Sequence, residues 1–303
     1  MLLNFIYLPL IIALDFLLGE PKRWHPLVGF GYLCNQVEKY LLKPVSNRQL
    51  FIRGVLAWFV LVVPFVLIAY WLSNYLGDWL GIVFAYLAIG AKSLRDHALQ
   101  VADALRQGDL NLARQRVGYI VSRDTSTLNE QEISRSTIES VLENGSDAIF
   151  AALFWFLVAG SSGVVLYRLS NTLDAMWGYR NQQYEYFGKF SARMDDILNW
   201  IPARLTALSY LLVGHSGKAW QSWKTQAKQW YSLNAGVVMA TGAGALDRQL
   251  GGAAYYHGEL KQRPLLGSDK PVETADIYHS WQLVFRAILL WILITSLVAI
   301  PRL

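Results

Sequence analysis

The apolar residues of this 303-residue chain fall in long unbroken blocks, not in strand-like alternation or heptads. Gly54 to Leu72 runs nineteen residues without a charge. At 1.5 Å per residue that is roughly 28 Å, close to the hydrocarbon thickness of a bilayer. Pro64 inside it is tolerable in lipid where neighbours satisfy the freed carbonyl. A second block, Leu283 to Ile300, has a short uncharged part, so Arg286 and Arg302 are expected to reach the two interfaces. Leu2 to Gly19 forms a third. It lacks the basic region and small-residue cleavage pattern of a signal peptide, and reads as a permanent helix with Asp15 facing protein. Leu80 to Ala91 and Ile201 to Val213 are shorter runs, either tilted spans or helices buried against the others.

Ala148 to Leu169 is long enough to cross, but Gly160-Ser161-Ser162-Gly163 interrupts its middle. Two half-helices joined there would make a re-entrant hairpin, which lipid permits only where protein shields the turn. A simple span whose small residues pack on a neighbour is the equal alternative. The expected fold is thus all-α: a polytopic integral membrane protein forming a single domain over 1–303. Its four to five transmembrane helices lie at 2–19, 54–72, 80–91, 148–169 (span or re-entrant) and 283–300, with helical cytoplasmic segments at 92–147 and 214–282. Within 92–147, Leu94, Ala98, Val101 and Leu105 recur at helical spacing and Gly108-Asp109 ends that helix. Thr127 and Glu130 fit a capping box for the next helix.

Composition supports a lipid environment. The chain is 54% hydrophobic and 16% charged, against about 25% charged in soluble domains. Its 12 Trp, 16 Tyr and 13 Phe suit membrane interfaces. The single Cys34 excludes an intramolecular disulfide and a thiolate metal site. A net charge of +5 reads as a topology signal, not a nucleic-acid footprint. Segments 20–53, 92–147 and 214–282 hold most of the basic residues, so they are expected to be cytoplasmic, with the N-terminus outside. If 148–169 is a hairpin, 170–200 is cytoplasmic too.

Glu139, Glu143 and Asp147 share one helical face. Such a row is unfavourable unless a cation, either a divalent metal or basic partners, stands opposite; a solvated face is the plainer alternative. Against that alternative, the row runs into the apolar hairpin with Asn144 and Ser146 beside it. In Ser122-Arg123-Asp124-Thr125, Arg123 could clamp a phosphate or carboxylate, and Asp124 could hold Mg²⁺ or orient the arginine. An ordinary surface pair would look the same. Asn171, Asp174, Arg180, Asp195, Asp196 and Asn199 are polar groups at a membrane boundary that suit Mg²⁺-phosphate, or helix capping. The Ser232–Gly252 region is glycine-rich but lacks the Lys-Ser/Thr of a P-loop. The histidines show no ligand spacing.

These blocks together resemble the adenosylcobinamide-phosphate synthases, the CobD/CbiB family. The similarity runs through Leu14-Asp15, Leu18-Gly19-Glu20-Pro21, Trp24-His25-Pro26-Leu27-Val28-Gly29, Arg123-Asp124-Thr125, Glu139-Ser140-Val141 and Glu143-Asn144. It is most specific from Asn171-Thr172-Leu173-Asp174 through Gly178-Tyr179-Arg180 and Asp195-Asp196 to Pro202-Ala203-Arg204-Leu205. Asn234-Ala235-Gly236, Leu250-Gly251-Gly252 and Tyr255-Tyr256 complete it. Ala148, Ala152 and Leu233 depart from the family's glycine and prolines, which changes backbone restraint and removes no charged group.

The resemblance implies an ATP- and Mg²⁺-dependent ligation. It joins adenosylcobyric acid to (R)-1-aminopropan-2-ol phosphate, or the free amino alcohol, as an amide in the cytoplasmic membrane. It implies Glu139, Glu143 and Asp174 as catalytic groups and Asp147, Asp195 and Asp196 as metal ligands. Arg123, Asp124, Asn144, Asn171, Tyr179, Arg180, Arg204 and Asn234 would bind substrate or phosphate, and Trp177, Tyr179 and Trp200 would line a bed for the corrin ring. Other membrane enzymes of cobalamin assembly are candidate partners; nucleic acid is not. A corrinoid transporter using Asp15 and the broken helix, or a non-catalytic membrane regulator on the same fold, are the rival classes. Against them, the acids cluster in cytoplasmic segments, no inverted repeat is visible, and a sensor would not need every charged motif.

Overall fold

Each apolar block folds as helix, and the polar segments between them supply the caps. The computed structural model describes residues 2–21, 23–179, 181–256 and 258–299, with the backbone alone for 2–6. The fold is a helical, polytopic membrane architecture. Among the described residues three helical stretches are long and apolar enough, by length and composition, to cross a bilayer: Asn47–Leu76, Glu130–Trp177 and Ala275–Ala299. The chain separates into two compact units. One comprises Met1–Gly90, Ala151–Trp200 and Thr295–Leu303, and the other Ala91–Phe150 with Ile201–Ile294.

In the first unit, Ser46 starts helix Asn47–Leu76 with a reciprocal capping box to Gln49. Thirty residues give about 45 Å, enough to cross with turns to spare. Helix Trp79–Ala88 covers part of the expected 80–91 span, and its ten residues rise only about 15 Å. Asp15 is fully buried in helix Leu2–Leu18, as a polar residue facing protein should be. The core packs Trp58, Leu61 and Val62 against Leu173, Trp177 and Phe187. Gly54 and Gly188 admit this packing, because a Cβ on either would strike the backbone carbonyls of Phe187 and Trp177.

Helix Ala151–Trp177 is broken at Gly160, whose φ of 60° and ψ of −142° suit only glycine. The chain then folds back. The α-carbon of Gly163 packs against the carbonyl of Trp155, although eight residues of unbroken helix would hold them about 12 Å apart. The first arm, 151–159, rises about 14 Å, half a hydrocarbon layer. Ser73 donates to Ser161 at 2.6 Å, and Gly81 packs against Phe156 and Ser161. Protein therefore covers the turn, and 151–177 is a helical hairpin folded back at Gly160.

In the second unit, helix Ala91–Arg106 ends before Gly108, which has φ 74°. Asp109 then caps Leu110–Val117 through Leu112 at 2.9 Å. The following helix does not start from a Thr127–Glu130 box. Leu128 donates to Thr125 at 3.3 Å, closing a turn around Thr127. Asn129 and Glu132 form the capping box two residues on, for helix Glu130–Gly145. A wider π-turn, Ser146–Phe150, follows. The helical segment expected over 214–282 contains two small antiparallel ladders. Gln249–Gly251 pairs with Leu265–Gly267, and Ala254–Tyr256 with Glu259–Lys261. Gly251, Gly252, Gly258 and Gly267, all at positive φ, stop helix there. Gly242 lets helix Leu233–Leu246 meet Leu142, while the buried Tyr210 hydroxyl donates to the Leu142 carbonyl at 3.1 Å.

Candidate active site

The row Glu139–Glu143–Asp147 does not present three equivalent acids. Glu139 is buried with its side chain 3% exposed. Its Oε2 accepts Arg123 Nη2 at 2.5 Å and Arg263 Nη1 at 3.0 Å. Its Oε1 accepts Arg263 Nη2 at 3.3 Å and the Gly251 amide at 2.8 Å. Arg123 also donates to Ser136 at 2.9 Å, and Arg263 donates through Nε to the Gly252 carbonyl at 2.9 Å. The guanidiniums lie over the rings of Tyr256 and Trp230 respectively. One carboxylate thus orients two cations and fastens helix Glu130–Gly145 to the glycine turn.

Glu143, one turn on, is half-buried and has no hydrogen-bond partner among the described residues. It lies in the field of Glu139, Arg123 and Arg263. That leaves it able to accept a proton from a bound group, which Glu139 is too fully engaged to do. Asn144 donates to the Ser140 carbonyl at 2.9 Å, while Ser140 donates to the Ile120 carbonyl at 2.8 Å. Asp147 sits on the π-turn in the field of Tyr210. Asp124 accepts the Gly258 amide at 2.8 Å and its own amide donates to the Tyr255 carbonyl at 3.0 Å, so it pins 122–125 to the outer ladder. Arg204 donates to Asn234 at 2.7 Å, beside a groove of about 490 Å³ lined by Trp220, Trp223, Lys224 and Lys228.

The other unit holds its own polar cluster. Asn171 and Asn199 donate to the two oxygens of Asp195 at 3.1 and 2.9 Å. Burial pushes the Asp195 carboxyl above its usual range, the two amides oppose this, and the charge of Asp196 adds to it. Asp174 lies in the field of both acids, and Asp196 pairs with Arg193 at 3.7 Å on the surface. Asn199 is buried, with its Oδ1 unpartnered among the described residues. Arg168 reaches Asn171 at 3.5 Å. His25 caps helix Pro26–Leu41 by accepting the Leu27 amide at 3.2 Å. Burial lowers its pKa, with Glu20 opposing and Arg168 adding. The Glu20–His25 and Asn171–Asp174 blocks, distant in sequence, therefore share one electrostatic neighbourhood.

Trp177 does not line a corrin bed. It is fully buried, and its Nε1 donates to Glu38 at 2.9 Å; Glu38 also accepts the Tyr184 hydroxyl at 2.8 Å. Tyr179 and Trp200 are exposed. Arg180, His257 and Arg302 lie outside the described residues. Arg263, Arg168 and Glu38 belong to no motif that the sequence singles out, and Glu20 stands there only within the Leu18–Pro21 block. Arg263 is 124 positions from Glu139, in a segment without periodicity that could have marked it.

Among the described residues no three His, Cys, Asp or Glu side chains are arranged to hold a bare metal ion. Mg²⁺ on a phosphorylated substrate needs only one or two carboxylates. The crowding of Asp174, Asp195 and Asp196 beside the orphaned Asn199 oxygen fits that requirement.

The family model described as CobD/Cbib protein matches residues 8–284. The chain is 54% identical over 303 residues to "Cobalamin biosynthesis protein CobD" of Chromobacterium violaceum, covering 97% of this chain and 96% of that one. It is 55% identical over 285 residues to the protein of that name in Stutzerimonas stutzeri, covering 93% and 94%. The Clostridium perfringens protein of the same name is 38% identical over 282 residues, covering 88% and 89%. No solved structure matches.

Proposed function

The chain belongs to the CobD/Cbib family, and on that premise we propose that it serves cobalamin biosynthesis as an ATP- and Mg²⁺-dependent ligase. It joins the free propionate of adenosylcobyric acid to (R)-1-aminopropan-2-ol phosphate, or the free amino alcohol, as an amide. The carrying observation is the pairing of Glu139, held by Arg123 and Arg263, with the unengaged Glu143 one helical turn away.

Amide formation from a carboxylate at neutral pH is uphill. The substrate carboxylate attacks the γ-phosphorus of ATP, forming an acyl phosphate and releasing ADP. The amine then attacks the acyl carbon, and inorganic phosphate leaves. An ammonium has no lone pair, so its proton must first go to a base; Glu143 takes it, a role suited to a positioned carboxylate. Arg123 and Arg263, oriented by Glu139, offset the charge that builds on the phosphoryl oxygens. Asn144, Arg204 and Asn234 are polar contacts for substrate in the same unit. Taken by itself, the other unit offers Asp174, Asp195 and Asp196 with Asn199 as groups that would hold a Mg²⁺-phosphate. Asn171 orients Asp195, and exposed Tyr179 and Trp200 offer ring faces to a corrin.

The protein lies in the cytoplasmic membrane with the N-terminus outside and these groups facing the cytoplasm, in keeping with the distribution of Lys and Arg. Mass spectrometry of the product tests the reading. Purified protein given adenosylcobyric acid, ATP and alternative amines should yield the corresponding amide. Substrate passage across sealed vesicles with no amide formed would favour a transporter instead.

A further inference from the structure

We propose that Arg135 and the Gly251-Gly252 turn complete, with Arg123 and Arg263, a seat for a phosphoryl oxyanion. Arg135 lies one helical turn before Glu139, where an i,i+4 pair could form. It does not form, and among the described residues Arg135 makes no hydrogen bond or ion pair. Its Nε is buried and unpartnered, and so is the Nε of Arg123. Arg135 Nη1 lies 3.6 Å from the point a Cβ on Gly252 would occupy. The carbonyl of that same glycine receives Arg263. Two guanidiniums therefore meet at one residue, and a third reaches it through Glu139.

The charges do not balance. Glu139 engages Arg123 and Arg263, while Arg135 adds a third, half-buried cation that makes no ion pair among the described residues. Unpaired charge withdrawn from water is unfavourable, and a buried donor without an acceptor adds to the cost. A phosphoryl group relieves both, since its oxygens match the planar fork of a guanidinium. The glycines serve this directly. Gly251 and Gly252 have φ of 79° and 77°, and without a side chain Gly252 leaves the approach to Arg135 open.

The phosphoryl group could belong to the nucleotide or to an amino-alcohol phosphate. The choice between them rests on the ligase reading; the seat itself does not. Binding of three probes to the purified full-length protein in detergent tests it: a non-hydrolysable MgATP analogue, 1-aminopropan-2-ol phosphate and inorganic phosphate. Calorimetry should show Arg135→Gln weakening one phosphorylated probe about tenfold or more, with Arg135→Lys intermediate and the free amino alcohol unaffected. Whichever probe weakens identifies the source. Unchanged affinity for every probe in a folded Arg135→Gln protein overturns the inference. If that variant does not fold, Arg135→Lys carries the test, and wild-type affinity there overturns it equally. A wild-type protein that binds no phosphate probe also overturns it; the ligase reading would still be judged separately by its amide product.

Discussion

Arg263 meets Glu139 at both carboxylate oxygens, at 3.0 and 3.3 Å, across 124 positions of sequence. Both side chains are nearly excluded from solvent, at 6% and 3%. Removing one partner from such a pair leaves the other charge stranded, which costs about 3–5 kcal/mol. Glu139→Gln strands two guanidiniums and should lower the melting temperature in detergent by several degrees. The double variant Glu139→Gln/Arg263→Met should recover part of the loss. An unchanged melting temperature in the single variant would show that the pair does not hold the helix to the turn.

Glu143 makes no such pair, so its loss should spare the fold. Glu143→Gln is expected to melt like the wild type while the rate of amide formation falls about 10²–10⁴-fold. A near-normal rate would remove the base assignment.

Gly160 carries the reversal of the hairpin in a backbone region that L-residues avoid. Gly160→Ala should destabilise the protein by about 1–3 kcal/mol, whereas Ser162→Ala, beside it and in ordinary helix, should change little. Equal melting temperatures for the two variants would indicate an unstrained, continuous helix.

Asp247 accepts Lys218 and Lys270, each at 2.6 Å. Those two hydrogen-bonded ammonium groups hold its carboxyl well below the usual range. A folded-state pKa below the unfolded one stabilises the fold above the unfolded value, about 3.9. That contribution disappears as the pH falls through the window below it. Both lysines are half exposed, so the effect is modest and weakens with salt. Melting curves between pH 6 and 3 should fall more steeply for wild type than for Asp247→Asn. Parallel curves would mean the pair contributes nothing.

Local pattern made much of this legible. The charge-free run to Leu72 and the small polar insert at Gly160 are each read from consecutive residues; the first lies within helix Asn47–Leu76 and the second holds the helix break. Glu139 and Glu143 were visible as a helical row. Their different roles were not, because the difference comes from Arg263 and Gly251, brought by a small β-ladder with no hydrophobic period. The ladder is not legible in the sequence for the same reason: its three-residue strands are too short to show alternation. Asn129 displaced Thr127 as the cap because the turn closed by Leu128 selects between two overlapping motifs. Trp177 has the sequence setting of an interfacial aromatic, but its partner is Glu38, 139 positions away, and the contact buries it.

The chemistry itself is tested most directly by following the carboxylate oxygens. Adenosylcobyric acid labelled with ¹⁸O in its free propionate, given to the purified protein with ATP and the amine, should transfer one labelled oxygen to inorganic phosphate for each amide formed. Label appearing in AMP, or amide forming with unlabelled phosphate, would contradict activation of the corrin carboxylate as an acyl phosphate.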